Sequence, residues 1–177
     1  MVKTMEWQQN ALEILDQTKL PVEISFIKCG TYRRVGEAIK KLEVRGAPAI
    51  GAAAGFAMVL GWQQLMAENR CNLPAYEKIK NELIAARPTA VNLAWAANKL
   101  YAEAERLTEQ SKTQSEIACA LEKLAQQIYA DDIECNKKMG KYGAELLPLH
   151  TRILTHWQPA GGVRLSVLSA KPLPRAK

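Results

Sequence analysis

Hydrophobic and polar positions change their rhythm along this chain. Short β-type runs at 12–16 and 22–27 are separated by QTKLP and preceded by a polar Gln9-Asn10 turn, the pattern of a small antiparallel meander. From Thr31, a capping residue, TYRRVGEAIKKLEV sets Val35, Ile39 and Leu42 at helical spacing with Lys and Glu on the opposite face. Then polarity vanishes: Gly46 to Ala67 is 22 residues without a charge. A transmembrane helix needs roughly 20 such residues. This run, however, contains Pro48, Gln63 and Gln64, is built from Ala and Gly where a span would use Leu, Ile and Val, and lacks flanking aromatic belts. It reads as a core helix whose small residues let neighbouring backbones approach closely, and no membrane partner is expected.

CNLP, at Cys71-Asn72, is predicted to end that helix, and a further helix is predicted over about 75–85. The residue before a proline is pushed out of helical dihedrals, so Arg87-Pro88 is a boundary and Thr89 a natural cap for the next helix. The longest helical pattern opens near Ser115, carries Ile117, Leu121, Leu124, Ile128, Cys135, Met139, Tyr142 and Leu146 near 3.6 spacing, and stops at Pro148. Beyond it TRILTH has a strand-like core, Ile153-Leu154, as a new domain would begin. The fold class expected is mostly α with a small antiparallel β-meander at the amino terminus (α+β). Residues 1–150 form a sheet and helix-bundle domain, and 151–177 open a second.

The start of the Ala-rich helix carries the first chemistry. Proline is favoured in the first turn of a helix, so Pro48 marks the start and Gly46 or Ala47 the cap, with Arg45 immediately before. A helix start offers free backbone N–H groups and a positive dipole end, a glycine lets a ligand reach the backbone, and an arginine adds a fork of donors suited to phosphate. The local pattern is open between such an anion site and a plain surface charge beside a turn glycine. Arg87, a second arginine before a capped helix, carries the same two readings.

Net charge narrows the partners. Of the formal +6, residues 1–150 contribute +1 and the remaining +5 comes from Arg152, Arg164, Lys171, Arg175 and Lys177. A nucleic-acid footprint wants a clustered basic face on a folded module, and the body here is balanced, so no nucleic-acid partner is expected. Cys29, Cys71, Cys119 and Cys135 form no C-x-x-C pair and lie far from both histidines, so no metal site is indicated and each reads as a small buried hydrophobe in a reducing compartment. Asp131, Asp132 and Glu134 read as the wet face of the long helix. The first ten residues are polar, with no apolar central region of a secretory signal, which points to the cytoplasm.

In order, ILDQTKLP (14–21), VRGAPAIGAAAGFAMVLG (44–61), ARPTAVNLAWA (86–96), MGKYGAELLP (139–148) and RILTH (152–156) resemble the methylthioribose-1-phosphate isomerase family, relatives of the regulatory subunits of translation initiation factor 2B. The resemblance implies a two-domain enzyme, a small sheet and helix bundle followed by a Rossmann-like domain. Such an enzyme converts the aldose 5-methylthioribose 1-phosphate to the ketose 5-methylthioribulose 1-phosphate in methionine salvage, without metal or nucleotide cofactor, as a homodimer. It places Arg45, Gly46, Ala47 and Arg87 at the substrate.

The resemblance also implies a catalytic cysteine directly after RILTH and a more distant general acid/base Asp. Here Trp157 stands at the cysteine position, and no counterpart of the Asp follows, so the expectation is no catalytic residue in this chain and a tail out of frame or foreign to the family. The chain is then an incomplete, inactive amino-terminal portion that binds a small sugar phosphate. The alternatives are a related isomerase of ribose 1,5-bisphosphate or 5-deoxyribose 1-phosphate, and a non-catalytic assembly module like the factor 2B subunits.

Overall fold

The computed structural model describes residues 3–8 and 10–147. A three-stranded antiparallel sheet comes first, β1 (Met5–Gln8), β2 (Ala11–Leu15) and β3 (Phe26–Cys29), in the order β1-β2-β3. Helices α1 (Tyr32–Lys40), α2 (Ala47–Ala67), α3 (Leu73–Ala86), α4 (Val91–Glu109) and α5 (Gln114–Glu145) follow. The mostly α architecture with an amino-terminal meander is as the sequence predicts. The Rossmann-like beginning at Ile153-Leu154, the 151–177 segment and Trp157 lie outside the described residues.

The meander differs in detail. A strand not anticipated, β1, pairs Met5 with Ile14, so Asn10 stands between two strands instead of ahead of the first. Asn10 takes the left-handed φ of 63° that a tight hairpin requires. The run at 22–27 is strand only from Phe26, because its backbone donors are spent locally: Val22 and Glu23 N–H both bond to the Lys19 carbonyl. Asp16 reinforces this loop by accepting from the Thr18 backbone and hydroxyl.

Capping explains most helix boundaries. Thr31 caps α1, Asn72 caps α3 and Thr113 forms a capping box with Glu116 on α5. Helix α1 stops one turn earlier than the apolar spacing suggests: Leu42 leaves the helix with a left-handed φ of 62° while Glu43 N–H reaches back to the Ala38 carbonyl. Helix α2 ends at Ala67, ahead of Cys71-Asn72. Asn69 adopts φ 53°, and Asn69 and Arg70 N–H bond to the Met66 and Leu65 carbonyls, closing a Schellman turn.

Helix α2 is long and apolar enough to cross a membrane, yet 78% of its apolar window is buried inside the protein. It is the axis of the bundle. A Cβ at Gly51 would stand 3.1 Å from the Asn92 carbonyl of α4, at Gly55 3.6 Å from Ala125 of α5, and at Gly61 2.8 Å from Ile79 of α3. Each glycine thus admits a different neighbour. The Trp62 ring meets Tyr76 edge-on at 5.0 Å and Tyr76 stacks on Tyr101 at 6.1 Å. Gly51 beside Asn92 and Trp62 near Tyr101 make α2 and α4 run in the same direction. Helix α5 runs opposite, since Trp62 Nε1 donates to the Gln114 carbonyl while Gly55 faces Ala125. Trp7 of β1 stacks on Phe56 at 5.1 Å, which seats the sheet on the same axis.

Filling the closest of these backbone approaches should show in stability. Gly51→Val is expected to lower unfolding free energy by about 1–3 kcal/mol, the usual cost of overpacking, read from urea denaturation monitored by tryptophan fluorescence, with Trp62 buried beside α2's neighbours. An unchanged midpoint would show that the α2–α4 contact is looser than described.

Candidate functional site

Parallel packing of α2 and α4 sets their starts side by side at one end of the bundle. Gly46 caps α2 with φ 91°, a conformation only glycine adopts cheaply, and offers no side-chain cap to the first turn. Pro48 follows, and the first helical bond is Ile50 N–H to the Gly46 carbonyl. Helix α4 is also uncapped. The expected cap Thr89 is not used, because Arg87-Pro88-Thr89-Ala90 closes a turn through Ala90 N–H to the Arg87 carbonyl at 2.9 Å, and the chain becomes helical only after Ala90. The other three helices are capped by side chains. Unsatisfied N–H groups therefore collect where α2 and α4 begin.

The arginines divide in the same way. Arg33, Arg34, Arg70 and Arg106 each pair with a carboxylate, those of Glu82, Glu43, Glu68 and Glu103. Arg45 and Arg87, both half-buried, pair with none among the described residues. Among the described residues Arg45 bonds its own turn alone, Nε to the Leu42 carbonyl at 3.3 Å. The segment that delivers it is held firmly: the Arg34 guanidinium binds the Glu43 carboxylate at 2.7 Å, and Gln17 N–H binds the Glu43 carbonyl at 3.0 Å. Two arginines without acidic partners, each ahead of an uncapped helix start, are an arrangement that favours an anion.

The remaining chemistry-bearing groups stand apart. Burial pushes the Cys29 and Cys71 thiols up to about 11, which suppresses the thiolate. Cys119 and Cys135 are exposed on α5, contrary to the expectation that every cysteine is buried; the apolar stripe of α5 passes through Ile117, Leu121, Ala125 and Ile128 and leaves both outside. Asp131 and Glu134 face solvent with Gln127 and Lys138 as partners. Among the described residues no group of three or more His, Cys, Asp or Glu could hold a metal ion. A cleft of about 590 Å³ lined by Thr31, Arg33, Gln63, Gln64 and Ser115 lies at the far end of α2, away from both helix starts. Sequence reasoning passed over two buried amides, Gln17 and Asn136; nothing in their spacing distinguishes them from surface polar residues.

The model of the initiation factor 2 subunit family matches residues 43–172, from just before Arg45 to well past His156, where the sequence motifs stop. The chain belongs to this family. It is 49% identical over 151 residues to the methylthioribose-1-phosphate isomerase of Desulforamulus reducens, covering 85% of this chain and 43% of that protein. It is 48% identical over 154 residues to that of Carboxydothermus hydrogenoformans, covering 86% of this chain and 44% of that protein. Among solved structures, 5-methylthioribose 1-phosphate isomerase from Pyrococcus horikoshii superposes with a TM-score of 0.74 at 38% identity, over 84% of this chain and 41% of that one. The delta subunit of translation initiation factor eIF-2B from A. fulgidus superposes with a TM-score of 0.71 at 32% identity, over 83% and 42%. The chain thus spans less than half the length of the curated relatives it matches.

Thiol reactivity checks the placement of the cysteines. Brief alkylation with iodoacetamide at neutral pH should label Cys119 and Cys135 and leave Cys29 unmodified, as read by peptide mass spectrometry. Fast labelling of Cys29 would place an activated thiol in the core and contradict the burial described.

Proposed function

We propose that this chain is the sugar-phosphate-binding portion of a methylthioribose-1-phosphate isomerase, acting in the cytoplasm in methionine salvage. The observation that supports it is the pairing of the described arginines: Arg45 and Arg87 alone lack a carboxylate, and both precede uncapped helix starts at the same end of the bundle. The phosphate of 5-methylthioribose 1-phosphate suits this place. Ala47 N–H and the positive ends of α2 and α4 face it, Gly46 leaves room for its approach, and the two guanidinium forks neutralise it.

Isomerisation needs more than binding. Opening the ring of a 1-phosphorylated sugar and moving hydrogen between C2 and C1 calls for groups that take and give protons in a dry pocket. A guanidinium offers five donors and no acceptor for a substrate proton, so Arg45 and Arg87 orient and neutralise only. Acid/base work then belongs to the part of the relatives that extends beyond the matched portion. Val91 and Trp95, on the first two turns of α4, are exposed apolar side chains beside the helix starts, which suits closure by further protein. The homodimer expected of intact relatives belongs to the same proposal. A second reading, a non-catalytic assembly module, draws on the superposition with the eIF-2B delta subunit; the two unpaired arginines favour the sugar-phosphate site.

Arg45→Ala is expected to weaken binding of 5-methylthioribose 1-phosphate by about 10- to 150-fold, the equivalent of a charged hydrogen bond, as measured by calorimetric titration of the purified chain. Unchanged affinity would remove the site from the start of α2. The chain itself should give no turnover, and Trp157→Cys alone should not restore it; product formation by either, followed by NMR with contaminating host isomerase excluded, would return the chemistry to this portion.

A further inference from the structure

Two buried amides at the same end of the molecule have atoms with no hydrogen-bond partner. Gln17 is 5% exposed and its Nε2 is enclosed and unbonded; Asn136 is 6% exposed and its Oδ1 is enclosed and unbonded. Reversing either amide would only exchange which polar atom is stranded. The Asn136 Nδ2 is committed, donating to the carbonyl and carboxylate of Asp132 at 2.8 and 3.0 Å, so its oxygen remains an acceptor. Gln17 offers a donor.

Register puts the two at one level. Trp7 Nε1 donates to Glu122 and the Tyr129 hydroxyl donates to the Met5 carbonyl, so β1 read backwards follows α5 forwards. Strand β2, antiparallel to β1, therefore advances with α5, and its ladder continues through Leu15 N–H to Thr4 and Asp16 N–H to Ser25. From Ile14, opposite Met5, to Asp16 is about 7 Å of extended chain, and Gln17 opens the turn that follows. From Tyr129 to Asn136 is about 10 Å of helix. Gln17 N–H also bonds the Glu43 carbonyl, two residues before Arg45, and α5, antiparallel to α2 with Gly55 facing Ala125, reaches the start of α2 near Asn136.

A buried donor and a buried acceptor left unpaired at a ligand site are costly unless the ligand satisfies them. A hydroxyl does both, since it accepts through its lone pairs and donates its proton; an ionised phosphoryl oxygen only accepts. We propose that Gln17 and Asn136 form a hydroxyl subsite at the start of α2, the Gln17 amide donating to one sugar hydroxyl and the Asn136 carbonyl accepting from it. This rests on the sugar-phosphate reading above and adds to it the part of the site that reads the sugar.

The test uses the whole chain and two probes, 5-methylthioribose 1-phosphate and inorganic phosphate, with Gln17→Met and Asn136→Leu as near-isosteric variants and Arg45→Ala as reference. Each amide variant is expected to weaken sugar-phosphate binding by about 3- to 10-fold, the loss of one neutral hydrogen bond. Each should leave phosphate binding within about twofold, and the unliganded thermal midpoint should be unchanged or higher, because a stranded polar atom has been removed. Arg45→Ala should weaken both ligands. Unaltered sugar-phosphate affinity in both amide variants, with Arg45→Ala still impaired, overturns the subsite alone. A lowered unliganded midpoint in both variants also overturns it, since the amides then have a structural partner. No binding of either probe by the unmodified chain, or no effect of Arg45→Ala, overturns the sugar-phosphate reading and the subsite with it.

Discussion

Everything in this molecule is arranged around the close approach of α2 to its neighbours. A helix of 21 residues with almost no polar face has to be covered on all sides, and small side chains let four helices and a sheet reach it. Gly51, Gly55 and Gly61 each open a contact to a different helix, so packing against α4, α5 and α3 is set residue by residue along one element. The α4 contact matters most for the proposed site. It fixes α2 and α4 in parallel, and parallel helices that touch near Gly51 and Asn92 begin at the same end of the bundle.

That arrangement concentrates backbone donors where side chains elsewhere would have capped them. Helices α1, α3 and α5 finish their first turns with Thr31, Asn72 and Thr113. Helices α2 and α4 have Gly46 and Ala90 there, with no side-chain cap. The arginines ahead of them are held by backbone geometry instead of by acids. For Arg45 the support is Glu43, clamped between Arg34 and Gln17, so an anion reaching this end meets donors whose positions are largely fixed beforehand, which lowers the ordering cost of binding.

Local signals mark the helical elements well and the candidate site in part. Thr31 and Pro48 announce helix starts through backbone chemistry that any neighbour leaves intact, and both are where the pattern puts them. Boundaries failed where a residue without a strong turn signature took a left-handed conformation, as Leu42 does, or where a turn used up the expected cap, as at Thr89. Strand β1 was missed because four residues with Glu6 and Gln8 among them carry little alternation. Arg45, Gly46 and Arg87 could be nominated singly. Their lack of acidic partners, and the meeting of the two helix starts, depend on contacts between residues some forty positions apart, which no window along the chain contains. Gln17 and Asn136 are further removed still, since only burial makes their unpaired atoms meaningful.

Two helices lying in parallel bring like ends of their dipoles together, and no side chain caps either start. An anion bound there, as proposed, would offset the repulsion between the two like ends, so ligand occupancy and the cohesion of the bundle would become a single equilibrium. On the proposed site, phosphate concentration would act on the folded population as well as on site saturation, and recognition and cohesion would share one ligand.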